Sequence, residues 1–387
     1  MKTLSYTLCA ILAAGFTFTG DAQVKPKSKK VTELKFSGRI QGQWDGIQSD
    51  DLNSSDGLKE NRNHFYFRRL FLGGHAKMGD NWGGDIVMDF GASPNTDKSV
   101  FIDGASVWYK HSDALRVDLG QKKVPFGLEE TTSSSKLKAI ERSAVNRQFA
   151  EQLKLNARHT GLFAKGKFGE GFSYGAAVVN SGQNHNSKDS SLKPGEYGYE
   201  KNELSYFGQL AYENYDSEII YKFGAAAGLM ALDGTKTDNP DDLLAYNFFA
   251  SLGFGSLVFD AEYMTGTVSH NGSAADEDHK GYSIQASYAI PNAPFGSWEL
   301  VYRFSTVENR EGLVSAKEIV RRANIAEEEV IEIDQHYFGV NYLFNGHDAK
   351  FMLGYEMNQL RDVAESSWNG ATTSDADGFR ARVQFLF

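Results

Sequence analysis

The basic residues of this acidic chain are concentrated in one segment. The 387 residues carry a formal net charge of −10, yet the stretch from position 122 to 158, KKVPFGLEETTSSSKLKAIERSAVNRQFAEQLKLNAR, has eight basic residues and four acidic ones. The basic residues are Lys122, Lys123, Lys136, Lys138, Arg142, Arg147, Lys154 and Arg158. Folded into a channel, such a segment would narrow it and raise the local concentration of anions. The alternative is an external loop whose charges are solvated.

Residues that could perform covalent chemistry form no motif of known spacing. The sequence has no P-loop, no GxSxG nucleophile elbow and no HExxH pair. Its nine histidines are scattered without the spacing of metal ligands, although His75 is placed where it could face a lumen and titrate. We therefore predict no catalytic residue, no metal site and no cofactor.

The N-terminal segment MKTLSYTLCAILAAGFTFTGDAQ has the features of a secretory signal. Lys2 precedes an apolar run from Leu8 to Phe18, and small residues near Ala22 suit a cleavage site. We predict a signal peptide over residues 1–22 and a basic periplasmic leader over residues 23–34. The single cysteine, Cys9, lies in the signal, so neither disulfides nor thiolate metal sites stabilise the mature chain.

Composition excludes two broad classes. The mean hydropathy is −0.43, and after the signal no run is apolar enough over ~20 residues to cross a bilayer as a helix. The negative net charge argues against a nucleic-acid partner, because a basic surface supplies that affinity. A content of 39 Gly, 27 Phe and 18 Tyr with only 7 Pro suits many long strands.

Apolar and polar residues alternate in about sixteen segments, most about ten residues long, which is the length a tilted strand needs to cross a bilayer. In the C-terminal segment DGFRARVQFLF, Phe379, Val383 and Phe385 fall on one face, and Arg380 and Arg382 fall on the other. This pattern predicts an apolar face in lipid and arginines in water. The last strand of a soluble β-domain is the alternative.

Short and long connections alternate along the chain, which places all long loops on one side. That layout is typical of outer-membrane barrels, with short periplasmic turns and long extracellular loops. We predict an all-β fold, a single transmembrane antiparallel β-barrel of about 16 strands over residues 35–387, with a constriction loop at about 123–157. The segment from Ser315 to Ile333 has helical spacing and predicts a short helix on an external loop.

The phase of the strands predicts which charges face the lumen. The main lumen cations would be Arg39, Arg69, Arg116, Arg303, Arg380 and Arg382. Acidic residues would face the same way at Asp85, Asp89, Asp118, Asp260, Glu262, Glu299 and Glu356. A lumen of mixed charge predicts a transverse field with a weak preference for anions.

The stretch GQKKVPFGLEETTSS resembles the motif that opens the constriction loop in the phosphate-selective porin O/P family. FYFRRLFLGGHAK and FRARVQFLF are similar to strands of that family, and the resemblance covers about Leu34 to Phe387. It implies a sixteen-stranded trimeric channel that passes anions. The strand LSYFGQLAYEN departs from the family pattern, because it lacks the arginine expected of a phosphate-selective ladder.

These features together predict an outer-membrane porin of a Gram-negative bacterium for passive diffusion of small hydrophilic solutes, with a preference for anions and with phosphate as a candidate solute. The expected partners are small anionic solutes, outer-membrane lipids and lipopolysaccharide, the barrel-assembly machinery and two further copies of the chain. Two other classes stay open: an outer-membrane barrel enzyme such as a hydrolase, and a non-conducting structural or adhesin barrel.

Overall fold

The computed structural model describes residues 32–50, 59–91, 100–180, 203–216, 218–232, 240–293, 296–309, 314–320, 329–363 and 373–387. The predicted signal peptide (1–22) and most of the predicted leader (23–34) lie outside these residues. Within them no helix is long and apolar enough to span a membrane. Most of the described residues belong to one antiparallel sheet.

The described strands are β1 (Glu33–Asp50), β2 (Lys59–Met78), β3 (Trp82–Asp89), β4 (Phe101–Ser112), β5 (Leu115–Lys123), β6 (Arg158–Phe168), β7 (Phe172–Asn180), β8 (Leu204–Asn214), β9 (Ile219–Ala231), β10 (Pro240–Phe254), β11 (Leu257–His270), β12 (Glu277–Ala293), β13 (Gly296–Asn309), β14 (Val314–Ser315), β15 (Glu329–Asn345), β16 (Ala349–Val363) and β17 (Thr373–Leu386). The described helices are α1 (Leu128–Thr131), α2 (Ala144–Arg147) and α3 (Ala316–Ile319), and a π-helical turn follows α2 at Gln148–Gln152.

Sixteen long strands close into a barrel, as predicted. Each long strand pairs with the next long strand in the sequence. The two-residue β14 lies between β13 and β15 in the sequence, and β13 pairs directly with β15. The C-terminal strand β17 pairs with β16 and also with β1, with Arg39 opposite Leu386 at one end of the ladder. This pairing removes both sheet edges, so every strand has two hydrogen-bonded neighbours.

The distribution of side chains is inverted relative to a soluble protein. Phe65 is 82% exposed on the outer face, whereas Arg303, Arg380 and Arg382 are each 1% exposed on the inner face. On β17, Phe385 likewise points outward. Lipid solvates the apolar exterior, and the polar interior must supply its own hydrogen bonds.

The predicted alternation of short turns and long connections is confirmed, with two differences. The connection 90–100 between β3 and β4 is a long one that the sequence did not predict. The alternating pattern of apolar and polar residues predicts a loop from Gly46 to Asn63, but β1 continues to Asp50 and β2 begins at Lys59, so the connection is shorter than predicted. Backbone pairing continues there beyond the alternating apolar pattern, with Ile47 opposite Arg62.

A β-bulge in β2 turns two consecutive arginines toward the lumen. Gln41 of β1 lies opposite Arg69, but the next residue, Gly42, lies opposite Phe67, so Arg68 is the extra residue. Arg68 binds Glu141 of the loop, and Arg69 donates to the side chain of Gln41 at 3.0 Å. The bulge therefore keeps both guanidinium groups out of the lipid.

The segment between β5 and β6 (residues 124–157) folds into the lumen, and Glu141 anchors it to the wall. Glu141 is 3% exposed and accepts hydrogen bonds from Arg68 of β2 at 2.8 Å, Arg382 of β17 at 2.9 Å and Arg147 of the loop at 2.7 Å. Burial alone would raise the pKa of Glu141, but these three guanidinium groups hold it well below 4.5.

A tyrosine beneath two glycines forms a second anchor. Tyr337 of β15 is fully buried, and its hydroxyl accepts a hydrogen bond from the N–H of Ile140 at 3.2 Å. A Cβ added at Gly339 or Gly354 would lie within 2.5 Å of the tyrosine ring. The two glycines therefore provide the space in which the ring lies flat under the loop.

The predicted short helix is present as α3, but it does not lie exposed on an external loop. Helix α3 has four residues, and the side chain of Ser315 forms no capping bond. Val314, Ala316 and Ile319 are buried in an apolar cluster with Ile47 of β1 and other residues of the barrel wall. The apolar positions of this segment pack inward because the wall offers them a partner and water does not.

We expect Glu141→Gln to lower the free energy of unfolding by about 3–5 kcal/mol, because it leaves three buried guanidinium groups without their carboxylate. The measurement is a urea titration of the refolded barrel in detergent micelles. The control is Glu308→Gln, whose partly exposed carboxylate pairs with Lys280 at 2.5 Å; its loss should be below about 1 kcal/mol. Equal losses in the two variants would contradict the anchor.

The same carboxylate predicts a pH dependence. Because the folded state depresses the pKa of Glu141, its contribution to stability is complete above the unfolded value of 4.5 and is lost as the pH falls through the lower folded value. Unfolding free energies measured below pH 4.5 should therefore decline more steeply in the wild-type barrel than in Glu141→Gln. Parallel curves for the two proteins would rule out this assignment.

Candidate constriction site

The Pro-Phe-Gly stretch turns the chain from the wall into the lumen. Gly127 has a φ of +88°, a conformation that favours glycine. Immediately after it, the N–H groups of Leu128 and Glu129 donate to the carboxylate of Glu262 on β11, at 2.5 and 3.2 Å. The loop therefore crosses from β5 toward β11 in its first residues.

Several of the eight predicted loop cations bind carboxylates near the two ends of the loop. These pairs are Lys122 with Asp118 at 2.5 Å, Lys123 with Glu130, Arg142 with Glu130 at 2.9 Å, and Arg158 with Asp103 at 2.6 Å. Burial alone would raise the pKa of Glu130, but Arg142 and Lys123 hold it below 4.5. Glu130 therefore stays ionised and fixes two cations at the start of the loop.

The remaining loop cations differ in their surroundings. Arg147 is buried against Glu141, away from open water. Lys138 lies 3.3 Å from Asp260 of β11. Lys136 is exposed, and the described residues contain no ion-pair partner for it or for Lys154. Lys136 and Lys138 both line the space between the loop and the far wall.

The six predicted lumen cations all lie on the inner face, where three of them are partly exposed. Arg39 donates to the hydroxyl of Ser134 in the loop at 2.5 Å, and Arg69 is bonded to Gln41. Arg116 lies 2.6 Å from Asp118, with its guanidinium over the ring of Trp108.

The other three are buried and bind the loop or join neighbouring strands of the wall. Arg303 donates to the carboxylate of Glu129 at 3.1 Å and to the backbone oxygen of Glu141 at 2.8 Å. Arg380 lies between Asp45 and Glu356, at 3.1 and 3.0 Å. Arg382 donates to Gln43 at 2.8 Å and to Glu141. Arg303 and Arg382 therefore join the loop to the wall, and Arg380 joins neighbouring strands of the wall.

A group of five cations, here called the cationic cluster, lies where β1, β2, β5 and β6 face the loop: Arg39, Arg69, Lys123, Arg142 and Arg158. Arg39 is within electrostatic range of Arg142, Arg158 and Asp103, and Lys123 is within range of Arg142, Arg158 and Glu130. Arg69 is within range of Arg142 and of Glu141. Glu141 is already neutralised by Arg68, Arg147 and Arg382, so the five cations face two further carboxylates, Asp103 and Glu130, and exceed them by three. The potential there favours anions.

A cavity of about 300 Å³ lies on the other side of the loop, between the loop and the inner wall of β9 to β13. Its polar lining includes Lys136, Lys138, Lys222, Asp260 and Arg303. In the part of the chain that the structure describes, no three His, Cys, Asp or Glu residues are arranged to hold a metal ion. The lining of this cavity therefore carries charges of both signs on its opposite walls.

Sequence reasoning missed two residues of this site. Strict alternation placed Arg69 in the lumen and left Arg68 facing lipid, and it gave Glu141 no role beyond its charge. A signal for Arg68 was present, because an arginine facing lipid near the bilayer midplane costs about 2–4 kcal/mol. Two consecutive arginines in a membrane-crossing strand therefore indicate a bulge. No comparable signal marked Glu141, since its partners are distant in sequence.

Comparisons with known proteins agree with this architecture. The profile of the family "Phosphate-selective porin O and P" matches residues 41–203 and 225–387. Porin O of Pseudomonas aeruginosa is 23% identical, and the match covers 100% of this chain and 98% of that protein.

Two solved structures share the fold. An anion-selective porin from Comamonas acidovorans has a TM-score of 0.62 at 12% identity, covering 92% of this chain and 99% of its own. The trimer form of OmpT from Vibrio cholerae has a TM-score of 0.53 at 11% identity, covering 91% and 99%. The family match extends over most of a closed sixteen-stranded barrel with a loop folded into its lumen, and the chain therefore belongs to the phosphate-selective porin O and P family, as an outer-membrane porin of a Gram-negative bacterium.

Proposed function

We propose that this porin passes small hydrophilic solutes by passive diffusion and prefers anions, with phosphate among them. The observation that carries the proposal is the cationic cluster, whose five cations exceed the neighbouring carboxylates by three. Low-dielectric walls focus that excess on the aqueous path and raise the local concentration of anions. The anion-selective porin from Comamonas acidovorans, which shares the fold, and the name of the family support this preference.

The partners of the cluster argue for a graded preference and against a dedicated phosphate site. Guanidinium groups bind phosphate in bidentate fashion, but Arg142 and Arg158 already hold carboxylates. A phosphate must compete with those contacts, which weakens its binding. We therefore expect phosphate to pass with moderate affinity, in a lumen that also admits chloride and small carboxylates.

Transport in this proposal needs no covalent step, so no residue of the pore acts as a transport catalyst. We also propose a homotrimer, for which the trimer form of the OmpT fold neighbour gives support. Contacts with lipopolysaccharide and with the barrel-assembly machinery stay predictions from the sequence.

The test of the proposed function is the reversal potential of the purified porin in a planar bilayer under a KCl gradient. Anion selectivity with conductance steps in groups of three supports both the cationic cluster and the trimer. Cation selectivity would leave the channel in place and overturn the anion preference. Absence of conductance would favour the structural or adhesin barrel.

The double substitution Lys136→Glu with Lys138→Glu should reduce the preference for anions. A charge close to a passing ion contributes ~1 kcal/mol in water, so the ratio of chloride to potassium permeability should fall about fivefold. The control is Lys280→Glu, whose half-exposed ammonium pairs with Glu308 on the outer face. Unchanged reversal potentials in the double variant would count against the loop lying along the ion path.

Phosphate added to the KCl bath should lower the chloride current of the wild-type porin by competing for the cationic cluster. The double substitution Arg39→Gln with Arg158→Gln should raise the half-inhibiting phosphate concentration about tenfold, because hydrogen bonds to charged groups contribute about 1.5–3 kcal/mol. Arg361→Gln, remote from the cluster and paired with Asp334 and Glu332, is the matched control. A phosphate effect of equal size in all three proteins would place the competition elsewhere.

A further inference from the structure

Three side chains on neighbouring strands form a hydrogen-bonded chain at one end of the lumen. The hydroxyl of Ser37 on β1 lies 3.1 Å from Nε2 of His75 on β2, and Nδ1 of His75 lies 2.8 Å from the carboxylate of Asp85 on β3. Transport has no use for a serine, a histidine and an aspartate in this order. The same order is the arrangement that activates a serine nucleophile.

The chemistry of the groups fixes the direction of the two hydrogen bonds. The ionised carboxylate of Asp85 can only accept, so Nδ1 of a neutral His75 carries the proton and donates it. Nε2 is then left with a lone pair and accepts from the Ser37 hydroxyl. In this tautomer the imidazole is a general base for Ser37, and Asp85 holds the ring in orientation.

The surroundings support the arrangement. A Cβ added at Gly73 would lie 2.8 Å from the Ser37 hydroxyl and 3.4 Å from Nε2 of His75, so the glycine leaves the space in which the two side chains meet. The guanidinium of Arg116 lies 3.6 Å from the second oxygen of Asp85. All three members of the chain project from paired strands, which position side chains more rigidly than loops do.

The three groups are accessible from the aqueous lumen. The side chains of His75 and Asp85 are 40% and 34% exposed, and the β2–β3 turn that begins after Met78 is one of the short turns that face the periplasm in such barrels. A solute that leaves the constriction for the periplasm passes this vestibule. Two residues before Ser37 on the same face, Lys35 carries an ammonium that is 70% exposed.

We propose that Ser37, His75 and Asp85 form a second, hydrolytic site in the periplasmic vestibule, with small hydrophilic acyl esters as substrates. The Ser37 oxygen attacks the ester carbonyl carbon while Nε2 of His75 takes the hydroxyl proton. The carbon–oxygen bond to the alcohol breaks, and the alcohol leaves with that proton. Water then attacks the acyl-serine, giving its proton through His75 to Ser37 and releasing the carboxylic acid.

The site has a nucleophile and a base but little to stabilise an oxyanion. The N–H of Gly38 donates to the backbone oxygen of Phe387 at 2.7 Å, and Ser37 pairs with Gly73 in the β1–β2 ladder. The Lys35 ammonium is the group that can approach the developing charge, and to do so it must leave its ion-pair partner Glu33. An oxyanion donor is worth about 10²–10³ in rate. The site is therefore slow and favours activated esters. Its chemistry does not depend on which ions the pore prefers.

The test uses the purified full chain in detergent, an activated-ester substrate (p-nitrophenyl acetate) and a serine-directed fluorophosphonate, with peptide mass spectrometry to locate the covalent tag. We expect the tag on Ser37. In His75→Gln the labelling rate should fall by about 10²-fold or more, because a general base contributes about 10²–10⁴ in rate. Asp85→Asn should lower kcat for the ester with little change in KM, because it disturbs the orientation of the His75 imidazole ring and leaves the surface that binds the ester unchanged.

Two further variants separate the site from background reactivity. Gly73→Ala keeps all three groups but places a methyl between Ser37 and His75, so labelling should fall with conductance unchanged. Ser106→Ala removes a hydroxyl from the residue opposite Asp85 on β4 and should change neither. Ser37→Ala removes the nucleophile and should abolish hydrolysis of the ester. The proposal is overturned by absence of the tag on Ser37, by a labelling rate in His75→Gln equal to that of the wild type, or by equal losses of ester hydrolysis in Ser37→Ala and Ser106→Ala.

Discussion

The buried carboxylate of Glu141 is the contact on which the rest of the lumen depends. Three guanidinium groups from β2, β17 and the loop converge on it. Each of these charges would be costly to bury alone, because the inner wall offers a low dielectric. Together they join the loop to the seam where the sheet closes. Barrel closure and channel width therefore share one set of ion pairs.

The bulge at Arg68 links this anchor to the membrane. Lipid accepts the apolar outer face but not an arginine, so the strand gains one residue and brings Arg68 inward beside Arg69. One of these guanidinium groups then holds the loop, and the other remains in the cationic cluster. The requirement imposed by the bilayer has thus placed an anchor and a member of the cationic cluster at adjacent positions.

The six predicted lumen cations divide into three groups by what they contact, with Arg39 and Arg69 in the cationic cluster. Arg303, Arg380 and Arg382 are buried and bind the loop or join neighbouring strands of the wall. The cationic cluster borders the aqueous path with an excess of positive charge. Arg116, lower in the lumen, lies between Asp118 and Asp85 and supports the vestibule that contains Ser37 and His75. Counting basic residues in the sequence overstates the field, because the buried anchors contribute to structure more than to conduction.

The sequence by itself determined the barrel, its strand number and the phase of its strands, because alternation and loop length are local properties of the chain. It also indicated the loop at about 123–157 from charge and from the Pro-Phe-Gly stretch. Only the tertiary structure decided which residues meet: Glu141 with Arg382, Tyr337 with Ile140, and Ser37 with His75 and Asp85. These contacts join residues from separate strands or from the loop and the wall, and their register depends on bulges and on glycine spaces. Side-chain period fixes which face a residue occupies, whereas barrel closure fixes its neighbours.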